Sequence, residues 1–527
     1  MWNSFIEKIR ELPRLRLLII LFTIWQYISV VGMALLGWPN SLVWLNMGLI
    51  LAFIALCPIY ESVLLLIISI PFYVVVPNTH FDSLPMWRIL YAALFVVWIV
   101  RDKKLKFNEI HFLPWDKYLA WFLGFGLLWA VVFAPFKIEA IKQAIFFVNI
   151  YFLYIVLINN LRGKQQIFET IRYTIWALTI IITLGFTQLF GTFLVNLDTF
   201  WVYWAANISK LYYGSGFANV ALYSNSWFSY SGARELRMFS IMPDSQSFAY
   251  ICLIALCMGT ALTRNVFKYV KKWLWSGIRF AGLAMILSGT RAVWVGMAAP
   301  FLAVAAAYYK RFQRHLAEKF LWPFVIIFAL FAASPFINQG LAYLQVHAFK
   351  EDFLTRVESI YDINETSNQG RIAMWVNSGK YFVTHPLGVG FGNFLISFSP
   401  RTKGETYDQL ANQINTRYNL PAKDVSAHSL YLQVLVETGI LGFVVFVLFW
   451  LTVMKVFWHF VKNYEKVQDF LIYFVAQALL MVLWILAAAI FDITLLNDKV
   501  LMFFFINLGL AGIIVKRYHE YEEGTSN

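Results

Sequence analysis

A few polar residues in a very apolar chain have the types and spacing to do chemistry. His428 stands in Ala427-His428-Ser429-Leu430-Tyr431-Leu432-Gln433, where a polar loop passes into an apolar run. An imidazole with an unperturbed pKa of ~6.5 at such a boundary can act as a general base toward a hydroxyl. Arg291 closes Ser288-Gly289-Thr290-Arg291, a short link between two apolar runs that leaves its side chain little room to reach bulk water. It reads either as a snorkelling arginine at a helix end or as a paired or ligand-binding one. Arg371 follows Asn368-Gln369-Gly370, and a helix opening at Gly370-Arg371 would set its guanidinium beside free backbone N–H groups, which suits an anion. Arg234 and Arg237 precede the run that starts near Asp244-Ser245-Gln246. They read either as interfacial anchors, with Arg237 paired to Asp244, or as guanidinium groups that bind a phosphate at lipid-headgroup depth.

The rest of the chain must position these groups, and its composition says in what solvent. Of 527 residues, 60% are hydrophobic, 19% aromatic and only 13% charged, with a mean hydropathy of +0.64. Soluble domains carry ~25% charged residues. A soluble enzyme, a disordered chain and a secreted disulfide scaffold are therefore excluded, and an all-α polytopic membrane protein is expected. About fourteen apolar runs approach the ~20 residues needed to cross the hydrocarbon. The N-terminal run is expected to be the first transmembrane helix rather than a removable leader.

Basic clusters recur at alternate junctions, for example Arg101/Lys103/Lys104/Lys106, Lys268/Lys271/Lys272, Lys310/Arg311/Arg314 and Lys516/Arg517. The positive-inside rule makes those junctions cytoplasmic, together with both termini. The net charge of +13 is then a topology signal and no argument for nucleic acid. Cys57, Cys252 and Cys257 fall within apolar runs, so no structural disulfide is expected.

Five segments follow. Residues 1–188 form an N-terminal transmembrane scaffold, 189–243 an aromatic outer loop, and 244–338 the spans that carry the Arg291 hairpin. Residues 339–427 form a large, mainly helical outer loop, and 428–527 the C-terminal spans with a short cytoplasmic tail. Within the outer loop, His385-Pro386-Leu387-Gly388-Val389-Gly390-Phe391-Gly392 reads as a turn with glycines supplying positive φ. If His428 is helical, Tyr431, Leu432, Leu435 and Gly439 share its face while Glu437 projects from the other. Gly439 and Gly442 then allow close helix approach.

His428-Ser429, nine intervening residues and Gly439-Ile440-Leu441-Gly442 resemble the signature of the O-antigen ligase and polymerase superfamily. Ser288-Gly289-Thr290-Arg291, Gly370-Arg371, the segment from His385 to Phe394, and Arg237 before Met242-Pro243-Asp244-Ser245 resemble other pieces of it, in the same order. The resemblance covers roughly 230–450. It implies a helical membrane glycosyltransferase of GT-C-like type with about 12–14 spans. It further implies inverting transfer of a glycan from undecaprenyl pyrophosphate to a hydroxyl on the periplasmic face, without metal or cofactor. The acceptor would be lipid A-core in a ligase, or another lipid-linked glycan in a polymerase. His428 would deprotonate or orient the acceptor, with Arg371 beside it. Arg237, Arg291 and Arg371, supported by Arg234, would hold the pyrophosphate, and Tyr431, Gln433, Gly439 and Gly442 would support the acceptor side.

Two rival classes weigh against this reading. A metal-dependent membrane glycosyltransferase wants acids in its first outer loop, and Gly37-Trp38-Pro39-Asn40 has none. A lipid-linked sugar flippase or transporter tends toward repeats and helices broken in mid-membrane. Here polar residues gather at one face, and one long outer loop dominates. A protein O-oligosaccharyltransferase would usually carry further C-terminal segments, so a ligase or polymerase is expected, with the ligase ahead because the His-x₁₀-Gly-x-x-Gly pattern is so complete.

Overall fold

Apolar runs in lipid must satisfy their backbone internally, which favours helices. The computed structural model describes residues 14–77, 84–101, 110–223, 227–228, 236–263, 268–309, 319–343, 360, 362, 366–398, 406, 409–410, 413, 426–467 and 469–523. They are nearly all helical, with no strand among the described residues. The protein is a helical polytopic membrane protein. Among the described residues, seven helices are long and apolar enough to cross: Arg14–Leu35, Lys137–Asn160, Lys164–Leu194, Ser245–Leu262, Leu430–Asn463, Phe470–Ala488 and Asp498–Tyr518.

Shorter apolar helices account for part of the difference from the larger number of runs in the sequence. Pro58 separates helices Leu42–Leu56 and Ile59–Ser69, of 15 and 11 residues. At 1.5 Å per residue the longer reaches only ~22 Å, short of the ~30 Å hydrocarbon. The run after Arg291 is divided at Met297 into Arg291–Gly296 and Ala298–Tyr309. The aromatic stretch 189–243 is also largely helical where described. It holds the end of Lys164–Leu194, then Leu197–Tyr203, a π-helical turn Trp204–Ser209, and Lys210–Tyr223. Trp201, Trp204 and Tyr212 are buried on these helices.

The chain divides into two compact units. The first comprises 1–112, 149–181 and 201–222. Its helices α1 (Arg14–Leu35), α2 (Leu42–Leu56) and α3 (Ile59–Ser69) are pinned in mid-helix by amides and hydroxyls. Gln26 Nε2 donates to Ser69 Oγ at 3.0 Å, and Asn46 Nδ2 to Ser29 Oγ at 2.7 Å. At the start of α1, Arg16 donates to Glu169 at 2.7 Å, lies 3.7 Å from Glu61, and sits over the Tyr60 ring.

The second unit comprises 113–148, 182–200 and 223–527. At its centre are α10 (Ser245–Leu262), α17 (Phe470–Ala488) and α18 (Asp498–Glu523), numbered in chain order. Their spans are 94%, 83% and 89% buried, so protein rather than lipid surrounds them. By contrast α16 (Leu430–Asn463) is only 33% buried and turns much of its surface outward. Trp484 ties α17 to the short α12 (Arg291–Gly296) by an indole N–H bond to Val293 O at 2.7 Å.

Candidate active site at the start of the His428 helix

His428 lies outside the helix it precedes. Helix α16 begins at Leu430, Ser429 is extended, and His428 takes a positive φ of 46°. Such a backbone costs roughly 1–3 kcal/mol in a non-glycine residue, so its neighbours must hold it. They do so from both sides. The Leu430 N–H donates to the carbonyls of Ala489 and Asp492, each at 2.9 Å. The Ala427 N–H donates to Gln433 Oε1 at 3.0 Å, and Gln433 Nε2 donates to Glu437 Oε1 at 2.6 Å. The Gly392 N–H also donates to the Glu437 carboxylate, which is buried.

The expected sharing of a helical face by His428, Tyr431, Leu432 and Leu435 is thereby corrected, because a left-handed residue and an extended one intervene. Tyr431 points to the neighbouring helix and donates to Leu486 O at 2.7 Å. The His428 ring makes no hydrogen bond to a described residue. Burial, and then the positive charge of Arg371, lower its pKa to about 4. The imidazole is therefore neutral at neutral pH and can accept a proton.

The role expected of the two glycines also changes. A straight helix of 34 residues would run ~51 Å. Gly439, at φ 65° and ψ −171°, breaks it. The break frees two carbonyls: Val436 O accepts from the Val389 N–H at 3.0 Å, and Glu437 O from the Gly390 N–H at 2.7 Å. The Ile440 N–H donates in return to Pro386 O at 2.9 Å. A β-carbon on Gly439 would lie 2.7 Å from Pro386 O, and one on Gly388 would lie 2.7 Å from Glu437 O. The glycine at 439 thus admits the backbone of a loop, not a second helix. At Gly442 a β-carbon would strike the Thr438 side chain one turn earlier in the same helix. Gly388, Gly390 and Gly392 all have positive φ, as the turn reading expected. Asn393 anchors the far end of this loop, accepting from the Phe136 N–H at 2.9 Å.

The arginines come from three places. Gly289, at φ 62°, turns the chain so that Arg291 is the first residue of α12. Thr290 Oγ1 donates to Ser245 O at 3.0 Å and pins this hairpin to the start of α10. Arg371 is the sixth residue of α15 (Thr366–Thr384). The first four N–H groups of a helix are its free donors, so Arg371 does not stand at an open N-terminus as expected. Arg371 and Arg291 instead line one cavity of about 170 Å³, with Asp362, Trp375 and Phe491 among the other walls. Arg237 is not among the lining residues. Its N–H donates to Trp227 O at 2.9 Å, while Asp244 caps α10 by accepting from the Ser247 N–H at 2.6 Å. Arg234 lies outside the described residues.

Residues 277–447 match the family model described as O-antigen ligase, a stretch that contains Arg291, Arg371, His428, Gly439 and Gly442. This segment belongs to the O-antigen ligase and polymerase superfamily. The matched stretch is about a third of the chain, and no curated protein matches it. Members of the superfamily are glycosyltransferase-type enzymes whose substrates are lipid-linked glycans.

One residue near the superfamily motif escapes the reading of the sequence. Asp492, in the turn between α17 and α18, is 1% exposed. Its Oδ1 accepts from the Tyr250 hydroxyl at 2.8 Å and from the Thr494 N–H at 3.1 Å. Its Oδ2 is buried with no hydrogen-bond partner among the described residues. Burial pushes its carboxyl up to about 7, opposed by those hydrogen bonds and by Arg371. The turn that carries this acid also caps α16 and supplies Phe491 to the cavity wall. The available signal was an acid six residues before Asp498 in the short link between two apolar runs, where a charge is costly.

Proposed function

We propose that this protein transfers a glycan from an undecaprenyl-pyrophosphate donor to a hydroxyl acceptor at the periplasmic face of the bacterial inner membrane, as an O-antigen ligase acting on lipid A-core. The observation that carries the reading is the meeting of Arg291 and Arg371 in one cavity, with the Arg371 charge acting on His428. The basic clusters at alternate junctions support a periplasmic site, because they assign the His428 loop to the side opposite the cytoplasm.

In this mechanism the acceptor oxygen attacks the anomeric carbon from the face opposite the diphosphate. The bond between the anomeric carbon and the phosphate oxygen breaks, and the anomeric centre inverts. The hydroxyl proton passes to the neutral His428 ring. The electron pair leaves with undecaprenyl pyrophosphate, whose growing charge is met by Arg291 and Arg371. Arginine suits that task because its planar fork binds two phosphate oxygens and stays charged. Pyrophosphate is already a good leaving group, so the protein chiefly positions the attack and stabilises departing charge. Gln433 and Glu437 act one step away, by fixing the backbone on which His428 sits.

The test is reconstitution in liposomes with a purified undecaprenyl-linked donor, supplied either with lipid A-core or with a second lipid-linked glycan. Lengthening of lipid A-core supports the ligase. Lengthening of the lipid-linked glycan alone replaces it with a polymerase. Transfer to neither acceptor removes the reading.

A further inference from the structure

The cavity that holds Arg291 and Arg371 is not uniformly suited to an anion. Beside the two arginines, Asp362 lines it, and apolar residues such as Val295, Ile372 and Phe491 form much of the rest. Trp375 and Phe491 form an aromatic pair in this wall, with ring centroids 6.0 Å apart and planes tilted by 41°. The Trp375 indole N–H is buried and has no hydrogen-bond partner among the described residues. An unmet donor of this kind costs stability unless a ligand or water meets it. Carbohydrate rings present apolar C–H faces that lie on aromatic planes, and hydroxyls that donate to carboxylates and accept from N–H groups. The lining thus divides by chemistry, with Arg291 and Arg371 for phosphate and an aromatic pair with an indole N–H for sugar. The volume of about 170 Å³ is below the ~300–1,000 Å³ of a typical small-molecule site, so only the reacting end of a long glycan fits.

We propose that Trp375, with Phe491, binds the first sugar ring of the lipid-linked donor, the indole N–H donating to a ring substituent. This rests on the lipid-diphosphate reading above and assigns the sugar-proximal half of the same cavity. Trp375 sits one turn after Arg371 on α15, so one helix presents both the phosphate-binding and the sugar-binding group.

The experiment measures binding of two ligands to the full chain in nanodiscs: undecaprenyl pyrophosphate, and the same lipid carrying one sugar. Wild type is expected to bind both. Trp375→Phe keeps an aromatic face and removes the N–H. It is expected to weaken binding of the sugar-bearing lipid about threefold to tenfold and leave that of the bare diphosphate unchanged. Trp375→Ala should widen the difference further, and retained binding of the bare lipid shows that the variant is folded. Equal weakening toward both lipids, or none, overturns the assignment of Trp375 while leaving the diphosphate reading intact. Failure of wild type to bind either lipid overturns both.

Discussion

Arginines withdrawn from bulk water show what the two units of this protein do with charge. In the first unit, Arg16 is met by Glu169 at 2.7 Å and Glu61 at 3.7 Å, with the Tyr60 ring beneath it. Tyr60 donates to the same Glu169, so helices that are distant in sequence are tied together. In the second unit, Arg291 and Arg371 line a cavity in which Asp362 is the acidic lining residue among those described. In the first unit the arginine ties helices together, whereas in the second the two arginines border open volume, where the proposed diphosphate would be met.

The largest expected effects separate these tasks. His428→Ala should lower transfer roughly 10²- to 10⁴-fold, the usual contribution of a general base, with thermal unfolding unchanged. Arg16→Ala should do the reverse, costing about 1.5–3 kcal/mol of stability because it removes a charged hydrogen bond between partly buried groups. Loss of folding in the first variant, or unchanged unfolding in the second, would dissolve the contrast.

Gly439→Ala should come next. It forces an alanine into φ 65° and into the Pro386 carbonyl, so the loop from Pro386 to Gly390 must leave α16. A loss of at least about 2 kcal/mol in unfolding, together with most activity, is expected. A fully stable and active variant would show that the docked loop is dispensable. Arg291→Lys should lower transfer about tenfold with no change in unfolding, since a point charge replaces a fork. Activity equal to wild type would remove bidentate binding at that position.

The smallest effect concerns pH. His428 has its pKa lowered to about 4, so the base is lost only as pH falls through that value, and the acid limb of kcat/KM should lie well below 6.5. Arg371→Gln removes one of the two lowering causes and should move that limb upward. Burial is the larger cause and persists, so the limb should stay below 6.5. A limb at or above 6.5 in wild type would mean that His428 is well solvated, contrary to the structure.

How much of this was legible in the sequence depended on which signals an apolar background exposes. Arg291, Arg371 and His428 stood out because charged and titratable groups are costly among spans, and the cavity brings the two arginines together. The helical character of the chain followed from hydropathy alone. Hydropathy does not register where a run is cut, so Pro58 and Met297 turned long apolar stretches into short helices. The backbone of His428 was hidden because its left-handed conformation is imposed by Asp492, Ala489, Gln433 and Glu437, far from it in sequence or on the next turns. Gly439 carried a readable signal with two meanings, helix contact or helix break. Only the loop that docks on the freed carbonyls decides between them. Asp492 gave little signal, since an acid between two spans also fits a solvated turn.

The central claim is that the paired arginines of the second unit receive a lipid-borne diphosphate. Its most direct test is the affinity of undecaprenyl pyrophosphate for wild type, Arg371→Gln and Arg16→Gln in nanodiscs. A charged hydrogen bond to phosphate is worth about 1.5–3 kcal/mol, so Arg371→Gln should weaken binding at least tenfold while Arg16→Gln binds as wild type does. Equal affinity for wild type and Arg371→Gln, or an equal loss in both variants, would contradict the account.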